Sequence, residues 1–449
     1  MTTSLPGFAQ TVARRLLRVL LSALSGVLIA HALGPDGRGD YAIITTTVLL
    51  AMVIGHFSIE RTQIAWWADE DRRPPLTVNA LVIGAVLGTV TALTGIALTL
   101  AGVLPTRSPL LCVALLAVPF AVVTVNLTAI ALLRAQVSLV TRGSVISGLL
   151  QFVPAVLLAA THHLTLSAAV LSWAVSLSVP AVLLARALGP FPLRGGDVRL
   201  ARAQLAVGGR QHVGLVAFHF LLIVDVLLLH ELDSAAAAGI YAVAVTLLEL
   251  TRIPGESLTQ IVLARQAVAD LPDAEQVTAR TVRLNLLLSS GLIACLMAVS
   301  PLLIPLLYGR AFAGSVAPLL ALAPGMVILI VLRPIEQHLV RLDRPGTLTV
   351  IAVTALAVNV ALNLLLIPHF GAVGAGLVSS VSYALMAILE ARWFVRSAGL
   401  SYAQLVPRPA DLGRMLRALR RDVAAAGRGA RKEPGRSRRT ADRTTARPR

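Results

Sequence analysis

Residues 77–104 read TVNALVIGAVLGTVTALTGIALTLAGVL, twenty-eight consecutive positions without an Asp, Glu, Lys or Arg. A bilayer core about 30 Å thick is crossed by about 20 residues rising 1.5 Å each. This run is long enough to span it and too apolar to face water. The same reading carried outward finds twelve such runs, at about 14–33, 41–59, 77–104, 109–133, 143–161, 164–186, 211–231, 236–254, 284–308, 314–334, 347–367 and 371–395. The composition agrees: of 449 residues, 56% are hydrophobic and only 14% charged, and the mean hydropathy is +0.80. A soluble chain carries roughly 25% charged residues, so an ordinary soluble enzyme, a disordered chain and a fibrous protein are excluded. The first span has no small-residue cleavage site and is read as retained.

Arginine position orients the spans, because basic residues gather in short cytoplasmic loops. Arg14, Arg15 and Arg18 stand at the first end, Arg61, Arg72 and Arg73 after span 2, and Arg134 and Arg142 after span 4. Arg186, Arg194, Arg199, Arg202 and Arg210 follow span 6, Arg252, Arg265, Arg280 and Arg283 span 8, and Arg333, Arg341 and Arg344 span 10. All fall on one side, and the other receives only Arg38, Arg107 and Arg310. The expectation is a multi-pass protein of the cell membrane with both termini cytoplasmic.

The connection from Leu188 to Gly209, with Gly189-Pro190-Phe191-Pro192 inside it, divides the spans six and six. Six is even, so both halves enter the membrane the same way. Gly39-Asp40-Tyr41-Ala42 at span 2 is echoed by Gly239-Ile240-Tyr241-Ala242 at span 8. The expected architecture is an all-α polytopic membrane protein of about twelve transmembrane helices, in two six-helix lobes with parallel pseudo-symmetry. Parallel repeats are a transporter design, with the substrate path between them. The divisions are 1–188 for the N-terminal lobe, 189–209 for a cytoplasmic linker, 210–396 for the C-terminal lobe and 397–449 for a basic, largely disordered tail. Residues 411–425 of that tail suit a short amphipathic helix on anionic lipid, with Met415, Leu416 and Leu419 inward. Nucleic acid is disfavoured as its partner because aromatic interleaving is absent.

The residues from Ser25 through Gly34-Pro35-Asp36-Gly37-Arg38-Gly39-Asp40-Tyr41-Ala42 resemble the opening signature of polysaccharide-biosynthesis membrane proteins, the lipid-linked oligosaccharide flippases (O-antigen-flippase-like). These belong to the multidrug, oligosaccharidyl-lipid and polysaccharide exporter superfamily. The second half is similar at Gly239 to Ala244, at Leu306-Leu307-Tyr308-Gly309, and from Asn359, Asn363 and Pro368 into Gly371-Ala372-Val373-Gly374-Ala375-Gly376. Read without the family, Gly34-Pro35 ends one helix and Gly37 and Gly39 allow a tight hairpin before the next. The resemblance implies alternating access of two lobes that carry an isoprenoid-pyrophosphate oligosaccharide to the outer leaflet. It also implies other polysaccharide-assembly membrane proteins as partners.

Such a cargo needs cations for its phosphates and hydrogen-bonding groups for its sugars, at a depth where ionisable groups are costly unless paired or functional. Arg18 either snorkels to the interface or contacts phosphate. Arg61 either pairs with Glu60 at the interface or lines the cavity. Glu249, Arg252 and Glu256, spaced i, i+3 and i+7, form a paired network or a phosphate clamp on one face of span 8. Asp225, isolated in span 7, suits coupling to a proton or Na⁺, or pairing with a cavity arginine; Glu249 and Glu256 are further coupling candidates. Asn126, Asn359 and Asn363 suit sugars or interhelical bonds. Cys112 and Cys295 lie in apolar runs, and the histidines lack metal spacing. No metal or cofactor is called for, nor is a nucleotide-hydrolase phosphate loop present.

The chief alternative is a multidrug or other small-molecule antiporter of the same superfamily, which would want an acidic lobe. A major-facilitator carrier would place its glycine-rich turn after span 2. A polytopic glycan polymerase or glycosyltransferase would need larger outer loops.

Overall fold

Gly34 and Gly371 decide how many times the chain crosses. The computed structural model describes residues 5–104, 106–191, 195–268, 271–341, 345–408, 410, 411 and 413. Twelve α-helices are found there: α1 (Leu5–His56), α2 (Ile59–Trp66), α3 (Arg73–Leu100), α4 (Pro109–Leu115), α5 (Val118–Leu133) and α6 (Val137–Ala160), then α7 (Leu166–Leu188), α8 (Val198–Leu232), α9 (Ala235–Val268), α10 (Leu271–Tyr308), α11 (Val316–Arg341) and α12 (Pro345–Ala398). Ten helical stretches among the described residues are long and apolar enough to cross a membrane.

Two of them are of double length, α1 with 52 residues and α12 with 54. Straight, each would measure roughly 80 Å. Each breaks at a glycine in the left-handed region, Gly34 at φ 67° and Gly371 at φ 51°, where a side chain would be strained. The chain reverses at both. A Cβ on Gly148 of α6 would lie 3.3 Å from Leu21, while Gln151, about a turn further along α6, reaches the Tyr41 hydroxyl at 3.5 Å. Residues 21 and 41 therefore stand at nearly the same depth. In α12, Asn363 and Ser379 both bond the single side chain of Asp225. Ten stretches thus make twelve crossings, matching the spans expected from the sequence.

The connection between the halves is shorter than expected. Asp197 caps α8, its carboxylate accepting from the backbone N–H of Arg199 at 2.7 Å and of Leu200 at 3.1 Å. Residues 198–209 therefore extend the helix of span 7, and only 189–197 join the halves. Gly208 and Gly209, which read as a loop, sit inside this helix against Phe57: a Cβ on Gly208 would lie 2.5 Å from the Phe57 carbonyl oxygen.

The start of the tail is also more ordered than its composition suggests. Arg283 of α10 donates through Nε to Asp411 at 3.0 Å and through Nη1 to the Gln404 carbonyl at 2.6 Å, and Asp411 is fully buried. Leu400 and Leu405 pack against a cluster of Val282, Ile335, Leu339 and Phe394. The expected amphipathic helix and most of the basic tail lie outside the described residues, as do the side chains of Arg14 and Arg15.

The largest buried apolar cluster joins Ala30, Ala42 and Ile43 of α1 to residues of α8 through α12, so the first helical hairpin is shared between the halves. Leu93, Leu157, Leu302, Leu306 and Leu365 are mostly exposed. In water such a belt would drive aggregation; around a membrane protein it is the lipid-facing surface.

Candidate functional site

The two echoed sequences meet each other. A Cβ on Gly39 would fall 1.8 Å from the Ala235 carbonyl oxygen, and one on Gly239 would fall 2.0 Å from that of Pro35. No side chain fits there, so backbone touches backbone, as in close helix crossings built on small residues. This seam lies at the end of the bundle that the arginine distribution assigns outside. His31 Nε2 stands 2.7 Å from the Leu307 carbonyl oxygen beside it, and His230 Nε2 stands 3.6 Å from Asp40 Oδ1.

At the opposite end the halves meet through side chains. His212 of α8 lies between the Ile54 carbonyl, at 2.9 Å, and the Ser58 hydroxyl, at 3.2 Å. Asn79 donates to Gln204 at 3.2 Å, and Gln204 donates to Thr62 at 3.3 Å. Phe57 and Ser58, both with φ near +54°, mark a strained turn where α1 ends.

Inward from the seam, one face of α9 bears Thr246, Glu249, Arg252 and Glu256. Arg252 is 7% exposed and doubly neutralised, donating through Nη1 to Glu249 at 2.5 Å and through Nη2 to Glu256 at 3.0 Å. The Glu249 side chain is 45% exposed and that of Glu256 29%, so the arginine is more buried than either of its carboxylates.

A second polar group is sealed inside the C-terminal half. Asp225 accepts from the Tyr241 hydroxyl at 2.7 Å, from Asn363 Nδ2 at 3.2 Å and from the Ser379 hydroxyl. Asn363 also donates to Asn359 at 2.9 Å, and all five residues are buried. The sequence-predicted Asp225, Asn359 and Asn363 are thus brought together by α8 and the first half of α12. Their donors Tyr241 and Ser379 were not singled out from the sequence. Tyr241 is the echo of Tyr41, and that repeat was its available signal.

The remaining candidates are dispersed. Arg18 is exposed on α1 beside Gly148. Arg61 on α2 donates to Gln211 at 2.7 Å and lines a cavity of about 40 Å³ with Glu336 and Glu390. That volume holds a water or two. Glu390, fully buried with neither carboxylate oxygen hydrogen-bonded, gave no sequence signal because it sits near a span end among arginines. Asn126 lies inside the N-terminal half, donating to the Ala80 carbonyl at 3.2 Å. Among the described residues no three His, Cys, Asp or Glu side chains are grouped to hold a metal.

No family model and no curated protein matches this sequence. Solved structures do match. An inward-facing multidrug resistance MATE family transporter of the MOP superfamily superposes with a TM-score of 0.69 at 12% identity, over 87% of this chain and 98% of that one. This chain shares the fold of that structure. The lipid II flippase MurJ in an inward closed conformation gives 0.67 at 12% identity, over 88% of this chain and 89% of that one. An outward-facing MATE transporter gives 0.59 at 14% identity, over 86% and 93%. At these identities the likeness shows the fold and does not assign a cargo.

Proposed function

We propose that this multi-pass membrane protein is a flippase that moves an isoprenoid-pyrophosphate-linked oligosaccharide from the inner to the outer leaflet for cell-surface polysaccharide synthesis. The observation that carries this reading is the charged face of α9, where Arg252 is buried between two carboxylates at the inner end of span 8. Ionisable groups are kept within a span when they serve a polar passenger. A lipid-linked sugar needs only its head shielded, since its tail stays in the bilayer. Opening of the His212 contact with the outer seam closed admits the head from the cytoplasmic side, and opening of the seam with the His212 contact closed releases it outside. Arg252 meets the pyrophosphate, and Glu249 and Glu256 release the arginine's donors to it in turn. Asp225, with its ring of donors, is the coupling carboxyl for a proton or Na⁺. Anionic membrane lipids are the proposed partners of the basic tail.

The half-exposed Glu249 carboxylate supports a second reading, an antiporter of organic cations. Deletion of the gene with mass analysis of lipid-linked glycans separates the two. Accumulation of a complete, untranslocated lipid-linked unit is expected; an unchanged glycan pool with increased sensitivity to cationic drugs would replace the flippase by the antiporter.

A further inference from the structure

Arg38 was counted among the outer-loop arginines, yet it is only 8% exposed. Its side chain runs inward from the glycine seam, along α9, to Thr246. The contacts it makes there are poor: Nη2 reaches the Thr246 hydroxyl at 3.5 Å, the guanidinium stands 5.3 Å above the Tyr41 ring, and buried Nε has no acceptor. Among the described residues no carboxylate lies within ion-pair distance of it. Thr246 already donates its own proton to the Ala242 carbonyl at 2.7 Å, so only its lone pairs face the arginine.

A guanidinium offers five N–H donors in a planar fork and stays charged. Burying it without a counter-charge is expensive, and a ring face recovers only part of that cost. Arg252 is satisfied by two carboxylates, whereas Arg38 lacks an anion. Thr246 and Glu249 are one turn apart on α9, so the two arginines mark the outer and inner ends of one face. Tyr41, which also accepts a 3.5 Å bond from Gln151, adds a phenol beside the outer cation. A tetrahedral oxyanion presenting two oxygens in a plane is the ligand that matches a fork of this kind.

We propose that Arg38 is an oxyanion-binding residue at the outer end of the inter-half face, receiving the pyrophosphate of the cargo from the level of Arg252 before the glycine seam opens. This rests on the flippase reading and adds to it a second phosphate position that closes the path from above. The unsatisfied guanidinium makes the cargo-free state less stable near the seam, and the arriving anion removes that cost.

The test uses the purified full-length chain in lipid nanodiscs, with farnesyl pyrophosphate and its uncharged counterpart farnesol as probes. The unaltered protein is expected to bind the pyrophosphate at least tenfold more tightly than the alcohol. Arg38→Gln should lose at least tenfold in pyrophosphate affinity, leave farnesol binding unchanged and not lower the thermal unfolding midpoint, because an unpaired buried charge has been removed. Arg38→Lys should recover part of the loss. Undiminished pyrophosphate binding by Arg38→Gln would overturn the site while leaving the cargo reading in place. Equal losses for both probes with a lowered midpoint would make Arg38 a structural residue of the seam, also overturning the site. Failure of the unaltered protein to prefer the pyrophosphate would overturn the cargo reading, and the site with it.

Discussion

Arg252 and Arg38 are both buried, both contact or belong to α9, and they differ in one respect. Arg252 has two carboxylates within 3.0 Å, whereas Arg38 has a hydroxyl at 3.5 Å and an aromatic face. The first is a network complete without a ligand, and losing one member leaves the others uncompensated. The second is incomplete, and loses little when the cation is removed. Stability and ligand binding should therefore respond oppositely at the two positions, which burial alone would not reveal.

The largest expected effect comes from wedging the contact that both arginines lie beneath. In Gly39→Val the new side chain would sit inside the Ala235 carbonyl, so the outer end cannot close. Transport of the lipid-linked unit should fall more than tenfold, with the protein still inserted; full transport would show that this seam need not form. Arg252→Ala comes next. It strands Glu249 and Glu256, and both a loss of transport and a lowered unfolding midpoint are expected. The paired change Arg252→Gln with Glu249→Gln should restore part of the midpoint, since only Glu256 stays uncompensated, and recovery of transport would remove Arg252 from phosphate contact. Asp225→Asn should cost about 1–3 kcal/mol in thermal or denaturant unfolding, since an amide turned toward the three donors cannot accept from all of them. An unchanged stability would mean that Asp225 is not held by Tyr241, Asn363 and Ser379. The smallest effect is one of access: a cysteine at Arg38 should react several-fold more slowly with an impermeant thiol reagent than one at exposed Arg107 or Arg310. Equal rates would place residue 38 in the outer water.

Span number and order were legible because length and apolarity alone determine them, and the helical hairpins fall at Gly34, which precedes Pro35, and at Gly371, three residues after Pro368. The extent of the connection between halves was not. Gly208-Gly209 reads as a break, and only the close approach of Phe57 explains two glycines in a helix. For the site, the i, i+3, i+7 spacing of Glu249, Arg252 and Glu256 foretold their ion pairs, since those contacts are local to one helix. The ring around Asp225 joins residues 138 and 154 positions away in sequence, and no local pattern encodes it. Arg38 was misread for a related reason: the charge rule assigns an arginine to a side of the membrane by the loop it follows, and this side chain turns back into the protein.

The central claim is that the halves separate at the glycine seam during each cycle. The tips of Asp40 and His230 face each other across it at 3.6 Å, so cysteines at the two positions can be bridged by a short bis-methanethiosulfonate linker, which reduction removes. In proteoliposomes of the double variant, movement of a fluorescent farnesyl pyrophosphate between leaflets should stop on linking and return on reduction. Movement at the same rate with the link in place would contradict the account, because the cargo would then cross without the seam ever opening.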